Sequence, residues 1–312
     1  MEDKQNTKEV ILPNGDTVPA DGTGTHSERA IQRMEEEHEY ASVIIKRNDA
    51  AFKHPDDVLQ RAIEEGGEQV KRSSASLFLS AISAGLILGF AAMSVSFAVM
   101  LAPEDSSEAL GRLFMGLVYP LGFIICIMSR TELFTEHTAL AVYPYLERMC
   151  SFKSLARLWV IVLIGNLIGT LISSGLLNFA EPIIGAEAGY TYVANHLVAF
   201  SGREIFVSAM LAGWLMALGS WLIMSMSNSS AQIMGIYIVT FLIGIGGLHH
   251  CIAGSAELFT AYFMNGAVTA GQVLHTLFYA VIGNLVGGSF FVAILNYAHI
   301  RKTQTINLDE KV

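Results

Sequence analysis

Charge is scarce along most of this chain. Only 15% of its 312 residues are charged, while 52% are hydrophobic; a soluble globular domain carries about 25% charged residues. Between Ser73 and Ile300 the only basic side chains are Arg112, Arg130, Arg148, Lys153, Arg157 and Arg203. That excludes an ordinary soluble fold for this stretch. With a net charge of −9, it also leaves no basic patch for nucleic acid. Cysteine is scarce as well: Cys126, Cys150 and Cys251 are too few and too scattered for a disulfide framework. His-Glu-x-x-His and Cys-x-x-Cys spacings are both missing, so neither a metal nor a cofactor is expected. The polar start has no charged-then-apolar signal pattern, and insertion is expected through the first true span.

What is present is a polar tail followed by long apolar runs. Residues 1–54 read as a polar cytoplasmic tail. Residues 1–25 are rich in Gly, Thr, Asn and Asp and are expected to lack order. Ser27–Arg47 is expected to be helical, with Glu35, Glu36, Glu37 and Glu39 on solvent. Pro55, followed by Asp56 and Asp57, starts a helix. Val58, Leu59, Ala62 and Ile63 form an apolar stripe on it, so 55–72 reads as an amphipathic entry helix at the membrane surface.

Six apolar segments follow, at about Ser76–Ala102, Leu110–Tyr145, Leu155–Ala180, Ile205–Met226, Ala231–Met264 and Thr269–Tyr297. The second turns polar from Ser129 to His137 and the fifth around His249–Glu257. A span needs roughly 20 apolar residues; four segments supply that directly, and the second and fifth read as broken helices. The expected fold is an all-α membrane protein: one transmembrane domain over 73–300, built as an inverted 3+3 repeat (about 73–180 and 204–300), with 301–312 as a cytoplasmic tail. Lys71, Arg72, Arg148, Lys153, Arg157, Arg301 and Lys302 lie on one side and acidic loops on the other, so both termini are expected in the cytoplasm.

Two echoes support duplication. Glu-Leu-Phe-Thr occurs at Glu132–Thr135 and at Glu257–Thr260, and both copies read as interruptions of apolar runs. A carboxylate at the centre of a membrane helix costs roughly 2.5–3.5 kcal/mol, and irregular backbone at that depth survives only in protein or beside a wet cavity. The second echo is Gly165-Asn166-Leu167-Ile168-Gly169 against Gly283-Asn284-Leu285-Val286-Gly287, small residues that let helices approach closely in lipid. The intramembrane ionisable set is Arg130, Glu132, Glu136, His137, His249, His250 and Glu257. Such residues are functional candidates. The bland alternative is a structural ion pair, Arg130 with Glu132 or Glu257. For the histidines it is ordinary burial.

These residues resemble the formate/nitrite transporter family over about His54 to Tyr297. Pro55–Lys71 looks like its entry helix. Glu132-Leu133-Phe134-Thr135 looks like the acidic-Leu-Phe-Thr loop of its broken second helix, and His250-Cys251-Ile252-Ala253 like the segment around its pore histidine. The resemblance implies an aquaporin-like homopentamer in the bilayer of a bacterial inner membrane, with one pore per protomer passing small monovalent anions such as formate, nitrite or hydrosulfide. There are departures. Family channels usually carry Glu before the pore histidine and Asn after it, where this chain has His249 and Gly254. An Asn expected in the fourth helix is Gly213. Arg130, Glu136 and His137 replace small residues. These mark a divergent YfdC-like branch whose substrate does not follow from the motif.

The expected mechanism puts Thr135 and His250 at the selectivity site. Leu133 and Phe134 form an apolar constriction, and His250 donates a hydrogen bond or a proton. The rivals are a channel for water or ammonia, a non-conducting scaffold and an intramembrane metalloenzyme.

Overall fold

The computed structural model describes the backbone at 9–11, 17–19, 54–103 and 107–309, with side chains over 54–103 and 107–302. Met1–Phe52 and Lys53–Val312 are separate compact units. In the first, β1 (Glu9–Ile11) and β2 (Thr17–Pro19) pair antiparallel with Val10 opposite Val18. This ribbon falls inside the stretch expected to lack order. The helix expected over Ser27–Arg47 lies outside the described residues.

The second unit is helical throughout its described residues. α1 (Pro55–Lys71) starts on Pro55, with Asp56 and Asp57 in its first turn, and buries Val58, Leu59, Ala62 and Ile63. α2 (Ser74–Val99), α3 (Glu108–Val118) and α4 (Pro120–Met128) follow. The short helices α5 (Phe134–Leu140) and α6 (Val142–Leu146) precede the long α7 (Phe152–Ile184). The second half runs α8 (Glu187–Val198), α9 (Gly202–Ser225), α10 (Ser229–Gly246), α11 (Cys251–Asn265) and α12 (Ala270–Val286). α12 continues through a π-helical stretch, Gly287–Ile294, into α13 (Leu295–Asp309).

Among the described residues six helices have membrane-crossing length and apolarity: Ser74–Val99, Glu108–Met128, Phe152–Ile184, Gly202–Ser225, Ser229–Gly246 and Ala270–Lys302. The pieces before each turn, Glu108–Met128 and Ser229–Gly246, are therefore long enough alone, at 21 and 18 residues. Several of the long helices carry side-chain caps at exposed N-termini. Ser151 accepts from Ser154 N–H, and Ser201/Glu204 and Thr269/Gln272 form capping boxes.

Two close helix pairs frame the interior, α2 on α7 and α9 on α12. A Cβ at Gly169 would lie 2.2 Å from Ile82 O, and one at Gly287 would lie 2.1 Å from Met210 O. Only glycine permits these backbones to touch, which is what the repeated Gly-Asn-x-x-Gly does. Gly213 obeys the same constraint, its Cβ falling 2.3 Å from Asn284 O. No side chain fits at Gly213, so this position does not offer a pore-lining amide.

Candidate functional site

Both halves interrupt their helices with the same backbone motif. After α4, Arg130 N–H donates to Ile127 O (3.0 Å) and Thr131 N–H to Cys126 O (3.4 Å). After α10, Gly247 N–H donates to Gly244 O (3.1 Å) and Leu248 N–H to Ile243 O (3.0 Å). A left-handed residue closes each helix: Arg130 at φ 56° in one, Gly247 at φ 58° in the other.

Side chains from the long helices then hold the non-helical backbone. Ser80 Oγ accepts Glu132 N–H at 3.2 Å, and Ser208 Oγ accepts His249 N–H at 3.1 Å. Asn166 accepts Phe134 N–H and donates to Ala81 O and Glu132 O, each at 2.8 Å. Asn284 accepts Cys251 N–H (2.8 Å) and donates to Ala209 O (2.7 Å) and His249 O (3.0 Å). The amides of Glu132, Phe134, His249 and Cys251 and the carbonyls of Glu132 and His249 thus find partners, as irregular backbone away from water requires. Glu132 therefore corresponds to His249, Leu133 to His250 and Phe134 to Cys251.

This register corrects the first echo. The second Glu-Leu-Phe-Thr is not the counterpart of the first; Glu257–Thr260 lies wholly inside α11. The second interruption is Gly247–His250, where a left-handed glycine ends one helix and His250 caps the next.

The turns meet at one contact. Thr135 Oγ1 and His250 Nε2 are 3.0 Å apart, both buried. His250 Nδ1 accepts from Ile252 N–H (3.3 Å) and Ala253 N–H (3.2 Å), capping α11. An acceptor Nδ1 assigns the proton to Nε2, so His250 presents an N–H to Thr135. Phe123 of α4 packs edge-on against the imidazole with centroids 5.0 Å apart, and Tyr119 lies one turn away, 5.1 Å from Phe123. Leu133 and Phe134, which precede Thr135 in the chain, are buried.

The other expected site residues sit elsewhere. Glu132 is paired with Arg72 and His137. His249 turns away from Thr135: Nδ1 meets Ser208 Oγ at 2.9 Å, Nε2 meets Leu197 O at 3.0 Å, and Phe200 covers the ring. Arg130 forms no fork with Glu132 or Glu257; its nearest carboxylate is Glu65 of α1 at 3.8 Å, and its side chain is 72% exposed. Its backbone supplies the turn while its guanidinium reaches back toward α1. His249 and His250 point in opposite directions and do not converge as metal ligands.

Sequence reasoning missed Ser80, Ser208, Arg72, Tyr119 and Phe123. A signal existed for the serines: Ser80-Ala81-Ile82-Ser83-Ala84-Gly85 matches Ser208-Ala209-Met210-Leu211-Ala212-Gly213 at Ser, Ala, Ala and Gly. Arg72 read only as an orienting charge.

Six apolar helices around two apposed helix interruptions define an integral membrane protein of the channel and transporter class. The formate/nitrite transporter family model matches residues 56–298. This chain belongs to that family. It is 32% identical over 244 residues, 76% of each chain, to the inner membrane protein YfdC of Escherichia coli K12. It is 25% identical over 279 residues to formate channel FocB of the same organism, covering 80% of this chain and 96% of FocB. Among solved structures, an FNT family ion channel superposes with TM-score 0.72 at 18% identity, covering 78% of this chain and 99% of that one. A pentameric formate channel with formate bound superposes with TM-score 0.63 at 21% identity, covering 74% and 98%.

Proposed function

We propose that this protein is a membrane channel for small monovalent anions of weak acids, with its selectivity point where Thr135 meets His250. The observation that carries this reading is the buried Thr135–His250 hydrogen bond, which joins the two helix interruptions across the protein interior. α11 begins there, and helix N-termini favour negative charge. His250 acts as a fixed Nε2–H donor, with Thr135 as its partner in the empty state and the solute as its partner in passage. Leu133, Phe134 and Phe123 surround the contact with apolar surface and disfavour hydrated ions.

The two halves are proposed to be an inverted repeat, since three spans separate equivalent turns. Residues 1–54 would be a cytoplasmic tail, 55–72 the entry helix and 73–300 the channel domain. Both termini would face the cytoplasm of a bacterial inner membrane, as the placement of Lys and Arg supports. A homopentamer is proposed from the likeness to the pentameric formate channel. Large side chains left exposed on the monomer, such as Phe179 at 85% and Ile183 at 92%, would then face lipid or neighbouring protomers.

Uptake of labelled formate into proteoliposomes tests the reading. Wild-type protein is expected to exceed protein-free vesicles, and His250→Phe to lose most of that excess while remaining assembled. Equal uptake by both proteins would remove His250 from the mechanism. One observation favours a passage for small neutral solutes: among the described residues no cationic side chain reaches the Thr135–His250 contact. Rapid water or ammonia flux without formate flux would select that reading.

A further inference from the structure

Glu257 is the carboxyl group that the site as described does not use. It is 4% exposed, lies in the interior of α11, and forms no hydrogen bond or ion pair among the described residues. An isolated buried carboxyl without a partner is costly, and a chain keeps one where it has work for it.

Its position on the helix gives the reason. His250, Gly254 and Glu257 follow the four- and three-residue steps that keep side chains on one face of a helix. Glu257 therefore stands about 10 Å along α11 from His250, at roughly 1.5 Å per residue. Tyr119 and Phe123 repeat the pattern across the gap: Phe123 packs on His250, and Tyr119 interacts electrostatically with Glu257. Between the two layers lies Gly254. A Cβ there would touch only Leu197 Cδ1, at 3.8 Å, so at this point the face has room.

His250 is poorly placed to carry protons. Its Nδ1 is held by two backbone N–H donors. A proton at Nδ1 would face both of them and break the cap of α11. The imidazole is thus a donor of a hydrogen bond and not a relay.

We infer that Glu257 is the proton-exchange group of this passage, so that the species crossing the Thr135–His250 contact is a small monobasic acid in its uncharged form. This rests on the function proposed above. An anion entering from the Glu257 side takes the proton. The carboxyl O–H bond of Glu257 breaks, and an O–H bond forms on the solute. The neutral acid accepts the Nε2–H of His250 in passing, and Glu257 carboxylate is reprotonated from water on its own side. No electrons change hands. Ionised Glu257 repels any anion that has not been protonated. Tyr119 faces Glu257 across the gap, and Cys251 of α11 faces Tyr119. α2 contributes no ionisable side chain. α7 offers the hydroxyls of Thr170 and Ser174 to α11, with Glu181 further along near Tyr190 of α8.

Formate uptake and internal acidification, read by a trapped pH dye, test this in proteoliposomes across a pH series and under an imposed potential. Protein-free vesicles are subtracted. Wild-type uptake is expected to be accompanied by acidification and to ignore the potential. Glu257→Gln, assembled as wild type, is expected to lose the rise of uptake with falling pH, and Glu257→Asp to retain it. An unchanged pH profile in Glu257→Gln, or potential-driven formate uptake by wild type, would overturn the proton role and leave the channel reading intact. No formate uptake by wild type would overturn both.

Discussion

At the residue scale, the two turns show what each position must supply. Arg130 and Gly247 both adopt left-handed backbone, which costs a side-chain-bearing residue about 1–2 kcal/mol. Glycine suits the geometry, and the Arg130–Glu65 pair is too exposed to stabilise much. Arg130→Gly is therefore expected to hold or raise the thermal midpoint in detergent. Gly247→Ala is expected to lower it through a stability loss of about 1–2 kcal/mol, more so because the new Cβ would sit 2.8 Å from His196 Nε2. Asn284→Ala removes three buried hydrogen bonds. At about 1–3 kcal/mol for each stranded group, it is expected to abolish recovery of folded protein, and Asn166→Ala to do the same. A wild-type yield and midpoint from either asparagine variant would contradict the clamp.

At the element scale, α1 and α8 occupy matching places. Each leads directly into a long helix, and the residue just before that helix's cap closes over its turn. Arg72 does so by pairing with Glu132, Phe200 by packing edge-on against His249. One half thus fastens its turn with charge and the other with an aromatic ring. Removing one partner of a largely buried pair costs about 3–5 kcal/mol. With Arg72 still 32% exposed, Arg72→Ala is expected at about 3 kcal/mol, the low end of that range. Adding Glu132→Gln should recover part of it, since the buried carboxylate that had lost Arg72 is then gone. Additive losses in the double variant, by thermal unfolding, would contradict the coupling. In α8, burial lowers the pKa of His196, with Arg112 adding to the effect; Glu108 and the Gly247 backbone act the other way. The folded state then binds a proton less readily than the unfolded chain. Stability should fall as pH drops through the ordinary imidazole range near about 6.5. His196→Gln should flatten that slope in midpoints taken at about pH 5 and about pH 8.

At the scale of the whole molecule, the spans and their family were legible because hydropathy, Glu132-Leu133-Phe134-Thr135 and His250-Cys251-Ile252-Ala253 are local signals. The pairing of the halves was misread through Glu-Leu-Phe-Thr. A tetrapeptide can recur by chance, while the true register is carried by backbone geometry: a left-handed residue, then two clamped amides. The left-handed residue appears in sequence only as Arg130 against Gly247, which look unlike, and the clamps as Ser and Asn on other helices. The pairing of Glu132 with Arg72 was also hidden, because it joins distant segments that only the fold brings together. The central claim is that solute passes between the two turns along the α11 face that carries His250, Gly254 and Glu257. Gly254→Phe would fill that face, and Gly254→Ala would fit it. Labelled-formate uptake into proteoliposomes, with both variants monodisperse in detergent, measures the consequence. Uptake falling to the protein-free level in Gly254→Phe and persisting in Gly254→Ala is the predicted result; wild-type uptake by Gly254→Phe would put the passage elsewhere.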